Sequence, residues 1–406
     1  MPEHMSRYRP YPTPAQEVLL LEQSGHARYV WNLGLEQRLM WRRRQGPTPG
    51  PAERSRQLTG ARADNPWPAD GSVTVQQQAL RDLDQGWKNF FAGTHDRPTW
   101  RKHGRHEGFR IVGSQALRVR QDNRRWSGAL VPKVGWVKFK RSRGLPDRKS
   151  YRVTRDRAGR WHIAFAAVPE PVPAPGTGEV VGVDRGVKAA VALSTGELSG
   201  PAGLRPKEAE RRLRLQRRPA RARKGSDRRR KVRTAIARIT AREADRRKDR
   251  AEKTSTDLAR RFDVIRIEEL DVKGMTRSAR GTLEAPGRNV RQKAGLNRGI
   301  LKAAWSLLVT RSEQKAPGRV ERVNPAYTSQ TCNACQHVAR ESRESQAVFR
   351  CVACGHQANA DVNAARNIRD REPPAAGRAV AARGDRVNPA RSVKREPQRA
   401  RPPQVA

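Results

Sequence analysis

Acidic residues are scarce in this chain: 40 Asp and Glu stand against 85 Lys and Arg in 406 residues, a formal charge of +45. A compact state with that excess repels itself, so a polyanionic partner is expected, nucleic acid first and an acidic membrane surface second. Long apolar runs are also missing. Nowhere do the roughly eighteen consecutive apolar residues of a spanning helix occur, and no secretory signal opens the sequence. The expected location is the cytoplasm, at the nucleoid when bound to DNA. Cysteine is rare, with four residues all between Cys332 and Cys354, which excludes a disulfide-stapled secreted scaffold. Apolar residues reach only 35 %, and the deficit falls mainly on Arg-rich segments and the C-terminal stretch.

What is present begins with Val180-Val181-Gly182-Val183-Asp184-Arg185-Gly186-Val187. It reads as a short buried strand that delivers a carboxylate to a turn, with Ala189 to Leu193 returning as a second strand. An acid there costs folding free energy unless a cation, a donor or solvent meets it.

In chain order, residues 1–45 read as an N-terminal helical, helix-turn-helix-like segment. Thr13 is the expected N-cap, Pro14 the first helical residue and Glu17 a second capping group. The first helix should bury Val18, Leu21 and Leu19 or Leu20. A second, from Ala27 to Arg44, should bury Val30, Leu33, Leu35 and Leu39. A packed helical pair is favoured over one that reads DNA. Residues 46–108 read as a helical insert around Val75 to Phe91. Residues 109–168 turn to strands, with Trp126, Trp136 and Phe139 either core or available for base stacking. Residues 169–178, rich in Pro and Gly, read as a linker.

Between Arg211 and Arg233, thirteen of 23 positions are Lys or Arg and only Asp227 is acidic. Pro219 and Gly225-Ser226 divide this run into a helical hairpin. So many like charges destabilise an unliganded helix, so phosphate contact is expected at Arg211, Arg212, Arg214, Arg217, Arg218, Arg221, Arg223, Lys224, Arg228, Arg229, Arg230 and Lys231. A short strand follows at Asp263 to Leu270, then a loop at Arg277 to Arg298, a helix at Ile300 to Glu313 and a strand at Val320 to Val323. Residues 370–406, dominated by Pro, Arg and Ala without periodicity, read as a disordered basic tail.

Cys332-Asn333-Ala334-Cys335 and Cys351-Val352-Ala353-Cys354 are two C-x2-C knuckles fifteen residues apart. Two such knuckles complete a tetrahedral S4 shell, and a closed shell leaves no place for substrate, so one structural Zn2+ is expected. Asn359 to Ile368 then reads as a helix with Asp361 near its start, where the helix dipole favours a carboxylate. The chain thus offers one acid in a hairpin strand, one at a strand end and one on a late helix. A ribonuclease-H-like core uses that order to hold two divalent cations, and hard oxygen ligands favour Mg2+ or Mn2+.

At these residues the sequence resembles the OrfB/TnpB proteins of insertion sequences, relatives of the type V CRISPR effector nucleases. The resemblance rests on Val180 to Val187, Arg246 to Asp249 with Lys253 to Leu258, Phe262 to Leu270, Gln292 to Arg298, Asn324 to Cys332 and Asp361 to Ile368. Tyr11-Pro12-Thr13-Pro14 and Trp31-Asn32 also look like that family's opening. It implies an α+β multidomain protein: a RuvC-like α/β nuclease core (179–331, with its last segment at 355–369), an inserted zinc ribbon (332–354), a strand-rich wedge and a helical recognition lobe. It implies a catalytic, Mg-binding triad at Asp184, Glu268 and Asp361. Glu268 is preferred to Glu269 because the family pattern places the acid first. It also implies a transposon-encoded, RNA-guided endonuclease whose guide is RNA from the transposon end and whose target is double-stranded DNA beside a short motif. Gln336 and Ala360 depart from the family pattern, but no triad acid is lost. Two rival readings are a nuclease-silent RNA-guided repressor or transposition accessory protein, and an unguided DNA transposase.

Overall fold

Thr13 sets where the first helix begins. Its hydroxyl accepts from the Gln16 amide at 3.2 Å while the Gln16 side chain accepts from the Thr13 amide at 3.1 Å, a reciprocal cap that satisfies two otherwise orphaned donors. The computed structural model describes residues 4–41, 46, 48–147, 149–167, 170–218 and 222–372. Within it, β1 (His4–Pro10) leads into α1 (Pro14–Met40). The two helices expected between residues 13 and 44 are therefore one through Met40; nothing between Gln16 and Met40 breaks the helical hydrogen bonding. Gln16, rather than Glu17, closes the cap. Val18, Leu33 and Leu39 are exposed, whereas Leu20, Val30 and Leu35 are buried.

Next come α2 (Pro51–Asp64), α3 (Pro66–Asp70), α4 (Val73–Phe91), β2 (Gly108–Val112), α5 (Ser114–Leu117), β3 (Val119–Gln121), β4 (Trp126–Val131), β5 (Gly135–Lys140), β6 (Ser150–Arg155) and β7 (Trp161–Ala167). These strands form one sheet in the order β2-β6-β7-β1-β5-β4-β3, antiparallel throughout. Alternation decides which aromatics are core. Phe139 is fully buried with Tyr8 and Phe165, ring centroids 5.5–5.8 Å apart, while Trp126 and Trp136 lie on the opposite face of their strands. Base stacking by Phe139 is thereby excluded.

A partly buried network ties this lobe to the next. Arg160 bonds Asp156 at 2.8 Å and Asp245, on the long helix of the second lobe, at 2.6 Å. His162 Nε2 lies 3.0 Å from Asp156 Oδ2. Burial holds His162 down at about 4, against the opposing pull of Asp156. Burial by itself would raise Asp156, but hydrogen bonds from His162 and Arg160 bring it to about 2. Unfolded histidine takes up its proton near 6.5 and the folded one near 4, so the unfolded chain binds more protons between those values. The contribution of His162 is complete above pH 6.5 and should be lost as pH falls toward 4, about 2–3 kcal/mol in all. Urea midpoints at pH 7 and pH 4.5 measure it, and His162→Gln should flatten the difference.

The second lobe comprises β8 (Val180–Asp184), β9 (Val191–Leu193), β10 (Leu198–Ser199), α6 (Pro206–Arg217), α7 (Asp227–Arg261), β11 (Val264–Glu268), α8 (Val272–Met275), α9 (Val290–Ala303), α10 (Trp305–Lys315), β12 (Val320–Val323), β13 (Val348–Arg350), β14 (Gln357–Asn359) and α11 (Ala360–Asp370). The sheet order is β10-β9-β8-β11-β12, with β8, β11 and β12 parallel and the hairpin strands antiparallel. Part of the expected loop at Arg277 to Arg298 is helical, because α9 starts at Val290. The single helix expected at Ile300 to Glu313 is split at Ala304, which sits in the left-handed region at φ 57°. The Pro-rich linker does not float free. Val172 donates to the Lys315 carbonyl at 2.7 Å, and Asp263 accepts from the Gly176 and Gly178 amides at 3.0 and 2.6 Å. The expected basic tail falls, from residue 373 onward, outside the described residues.

Val181, Val183, Val191 and Leu193 share a core with Leu258 of α7, Phe262 just past its end, and Leu308 and Val309 of α10. Residues between them on β8 must face the other way, toward α11. Gly182 makes that approach possible. A Cβ there would collide with the Ala365 carbonyl oxygen and lie 2.5 Å from the Arg369 amide nitrogen. Gly182→Ala should therefore cost at least about 3 kcal/mol, the upper end for overpacking because the obstacle is backbone. The denaturation midpoint checks this.

Candidate active site and thiolate cluster

Asp184 ends β8 and Glu268 ends β11. The parallel register pairs Val183 with Ile267, so the two acids emerge side by side from the same end and face of the sheet. Asp361 arrives from α11, in the first turn after Asn359, whose side chain accepts from the amides of Asp361 and Val362 at 3.0 and 3.2 Å. Burial, then the charge of Glu268, then that of Asp361 push Asp184 up to about 7. Burial also raises Glu268, opposed by Thr328, Arg185, Arg371 and Arg343. The structure thus brings together the three acids singled out in the sequence, 84 and 93 residues apart along the chain, and Glu269 is exposed beside Arg322 instead.

The acids are held by residues the sequence reading did not assign. Thr328 Oγ1 donates to Glu268 Oε1, and Arg185 donates to the Glu268 main-chain oxygen. Arg343, from the segment between the knuckles, pairs with Asp361 at 3.1 Å and faces Asp184 and Glu268 electrostatically. Asn363 and Asn367 donate to the Thr331 carbonyl at 2.8 and 2.7 Å, and Asn367 also to that of Thr328 at 2.9 Å. Two amides four residues apart on one helix face were the visible signal, since buried amides must find partners.

A cluster of three carboxylates, two of them raised chiefly by burial, offers hard oxygen donors and has the chemistry of a site for divalent cations. Its carboxylates are more spread than the thiolates: among the described residues, only the four cysteines bring their ligand atoms within 4.8 Å of one another.

The cysteines fit a single ion closely. Cys332 and Cys354 Sγ are 3.8 Å apart, Cys335 and Cys351 3.6 Å. A tetrahedron of sulfurs about 2.3 Å from its centre has edges of about 3.8 Å. These gaps are far beyond an S–S bond. The Cys354 amide, against some burial and helped by that of Ala353, pulls the Cys351 thiol down, whereas burial raises Cys332, and hydrogen bonding with the neighbouring thiols raises Cys335 against the pull of the His337 amide.

The basic hairpin is exposed at Arg211, Arg214, Arg217, Arg218, Arg223, Lys224, Arg228, Arg230 and Lys231. Arg212 is different: it pairs with the buried Glu243 at 2.9 Å and fastens α6 to α7. Arg229 is half-buried and donates to the Ala222 carbonyl at 3.2 Å. Arg221 lies outside the described residues. No helix among the described residues is long and apolar enough to cross a membrane.

Three family models match the chain: "Helix-turn-helix domain" of the OrfB type at residues 5–47, "Probable transposase" (OrfB of IS605) at 142–279 and "Cas12f1-like, TNB domain" at 305–368. The first covers the stretch where one uninterrupted helix stands. The chain is 37% identical over 335 residues to "Putative RNA-guided DNA endonuclease InsQ" of Escherichia coli (strain K12), covering 82% of this chain and 81% of that protein. It is 32% identical over 422 residues to "Putative RNA-guided DNA endonuclease" of Streptomyces pristinaespiralis, covering 97% and 96%. Among solved structures, the Cas12f1 chain of a complex with sgRNA and target DNA shares the fold at TM-score 0.51 and 15% identity, over 87% of this chain and 83% of that one. With two such relatives along most of its length and OrfB models matching residues 5–47 and 142–279, the chain belongs to the OrfB/TnpB family of insertion-sequence proteins.

Proposed function

We propose that this protein is a transposon-encoded, RNA-guided DNA endonuclease that hydrolyses phosphodiester bonds at Asp184, Glu268 and Asp361. The observation that carries the reading is the convergence of these acids at one end of the parallel strands, where burial first and then the charges of Glu268 and Asp361 raise Asp184 to about 7. The names of the relatives, RNA-guided DNA endonucleases, support the same activity and the same partners, guide RNA and double-stranded DNA. Asp184 would hold both Mg2+ or Mn2+ ions, with Glu268 and Asp361 each completing one. When bound, such a pair supplies an activated water and charge stabilisation for the leaving oxygen. The chain's own residues set the stage. Thr328 fixes the Glu268 carboxylate, Asn359 caps the helix that presents Asp361, and Arg343 offers a guanidinium at the mouth of the site suited to a phosphate oxygen. One Zn2+ held by Cys332, Cys335, Cys351 and Cys354 would be structural.

The exposed cations of α6 and α7 would meet the nucleic-acid backbone, so affinity should fall steeply with salt. The deciding experiment is to purify the chain, sequence the RNA that accompanies it, and challenge that complex with duplexes carrying the matching sequence and Mg2+. RNA of one defined sequence and cutting of only the matched duplex are expected. Binding to element ends without RNA would favour an unguided transposase instead.

A further inference from the structure

The outward face of the first lobe's sheet carries side chains that the proposed chemistry does not use. Along β4 and β5, Ser127, Ala129, Val131, Val137 and Phe139 point into the core, so Trp126, Trp136, Lys138 and Lys140 stand on the other side. The register sets Trp126 beside Lys140, Gly128 beside Lys138 and Arg120 beside Gly128. Trp136 and Arg120 close over that glycine. A Cβ there would come 3.3 Å from the indole and 3.5 Å from the Arg120 Nε, and the guanidinium carbon lies 4.4 Å from the ring centre. Tyr11, whose amide donates to the Lys138 carbonyl at 2.8 Å, meets Trp126 nearly at right angles, with ring centres 5.3 Å apart.

These rings are not core. Trp136 is 36% exposed and Tyr11 50%, whereas Phe139, three residues on along β5, is fully buried. Trp126 is half-buried, and Lys138 and Lys140 are exposed beside it. Asp122, the acid just past β3, is taken up by Arg120 at 2.9 Å. The face is also stiff: Asn123 accepts from the Arg125 and Trp126 amides at 2.8 and 2.9 Å, which fixes the turn feeding Trp126. A single exposed aromatic is ordinary, but three on one rigid face among cations match stacked bases with their flanking phosphates.

We propose that this face is a stacking platform for unpaired bases of the guide RNA, an assignment that rests on the RNA-guided reading above. The rings and the arginine plane offer faces to bases, and the lysines meet the phosphates beside them. Paired bases of a target duplex are stacked on one another and have no face to offer, whereas the unpaired loops and ends of an RNA do. The platform is separate from the cations of α6 and α7, which belong to the second lobe.

Trp126→Leu and Trp136→Leu, singly and together, are made in the full chain. Binding of the copurifying RNA, of single-stranded DNA of the same sequence and of the target duplex is then measured across a salt series. Each single variant should bind the RNA about tenfold more weakly, and the double variant about a hundredfold. The slope of log affinity against log salt should stay at its wild-type value, because no phosphate contact is removed. Lys138→Gln combined with Lys140→Gln should instead lower that slope by about one to two. Trp136→Tyr should restore most of the affinity that Trp136→Leu loses. If a leucine variant melts early, ultraviolet crosslinking of the wild-type RNA complex carries the test, with crosslinks expected on the peptides holding Tyr11, Trp126 or Trp136. Full RNA affinity in the folded double variant, or crosslinks confined to other peptides, overturns the assignment. A loss seen with single-stranded DNA and not with RNA gives the face to a DNA strand and overturns it too. Failure of the wild-type chain to bind RNA at all would instead overturn the functional reading on which it rests.

Discussion

Asp184→Ala should abolish Mg2+-dependent cutting of target DNA, with a loss of at least about three orders of magnitude, roughly 4 kcal/mol of transition-state stabilisation. Guide RNA and target DNA should still bind with wild-type salt dependence, because the cations of α6 and α7 lie elsewhere. Glu268→Ala and Asp361→Ala should behave alike. Combining any two should add little, since residues that act as one unit are not additive. The size of the loss follows from where the acids sit. They emerge from two paired strands and a helix, on one face, with Arg343 as the cation paired to Asp361, so on the proposed reading removing one would leave too few carboxylates for a pair of cations. Full cleavage by the Asp184 variant would place the chemistry elsewhere.

Stripping the thiolate-bound ion should be nearly as damaging, and for a different reason. The element between Cys332 and Cys354 has almost no apolar core: Phe349 with Cys332 and Cys351 themselves, against Ala360 of α11. Binding of a structural zinc is worth about 10–16 kcal/mol in such small elements, so without it the element should unfold. The loss then propagates. Arg343 leaves Asp361, and the Asn333 amide, which donates to Asn363 at 3.0 Å, no longer braces α11. Chelation or Cys351→Ser should remove one zinc per chain by elemental analysis. Proteolysis should open within 332–354 first, and cleavage should fall at least about a hundredfold at saturating Mg2+. A zinc-free protein cutting at full rate would show that the ribbon does not position Asp361.

Local chemistry made much of this legible in advance. The knuckle spacing specifies a four-thiolate site because two tight turns can bring four sulfurs to one ion without help from the rest of the chain. The alternation of Val181 and Val183 with Gly182 and Asp184 marks a buried strand, and Thr13-Pro14 marks a helix start. Other expectations failed where the chain's own hydrogen bonds or distant partners decide. The helix from Pro14 runs through the place where a turn was expected, since no proline or left-handed glycine interrupts it. Arg212, one cation among thirteen in sequence, is a structural tie because Glu243 reaches it from α7.

By itself the sequence determined the charge, the paired cysteine knuckles, the strand that carries Asp184 and the helix start that carries Asp361, because each is written within a few neighbouring residues. Only the tertiary structure decided that Glu268 stands beside Asp184 and that Arg343 and Thr328 attend them. Those relations join residues tens of positions apart, through strand register and the close seat of α11 on Gly182, and no local pattern encodes a distance between them.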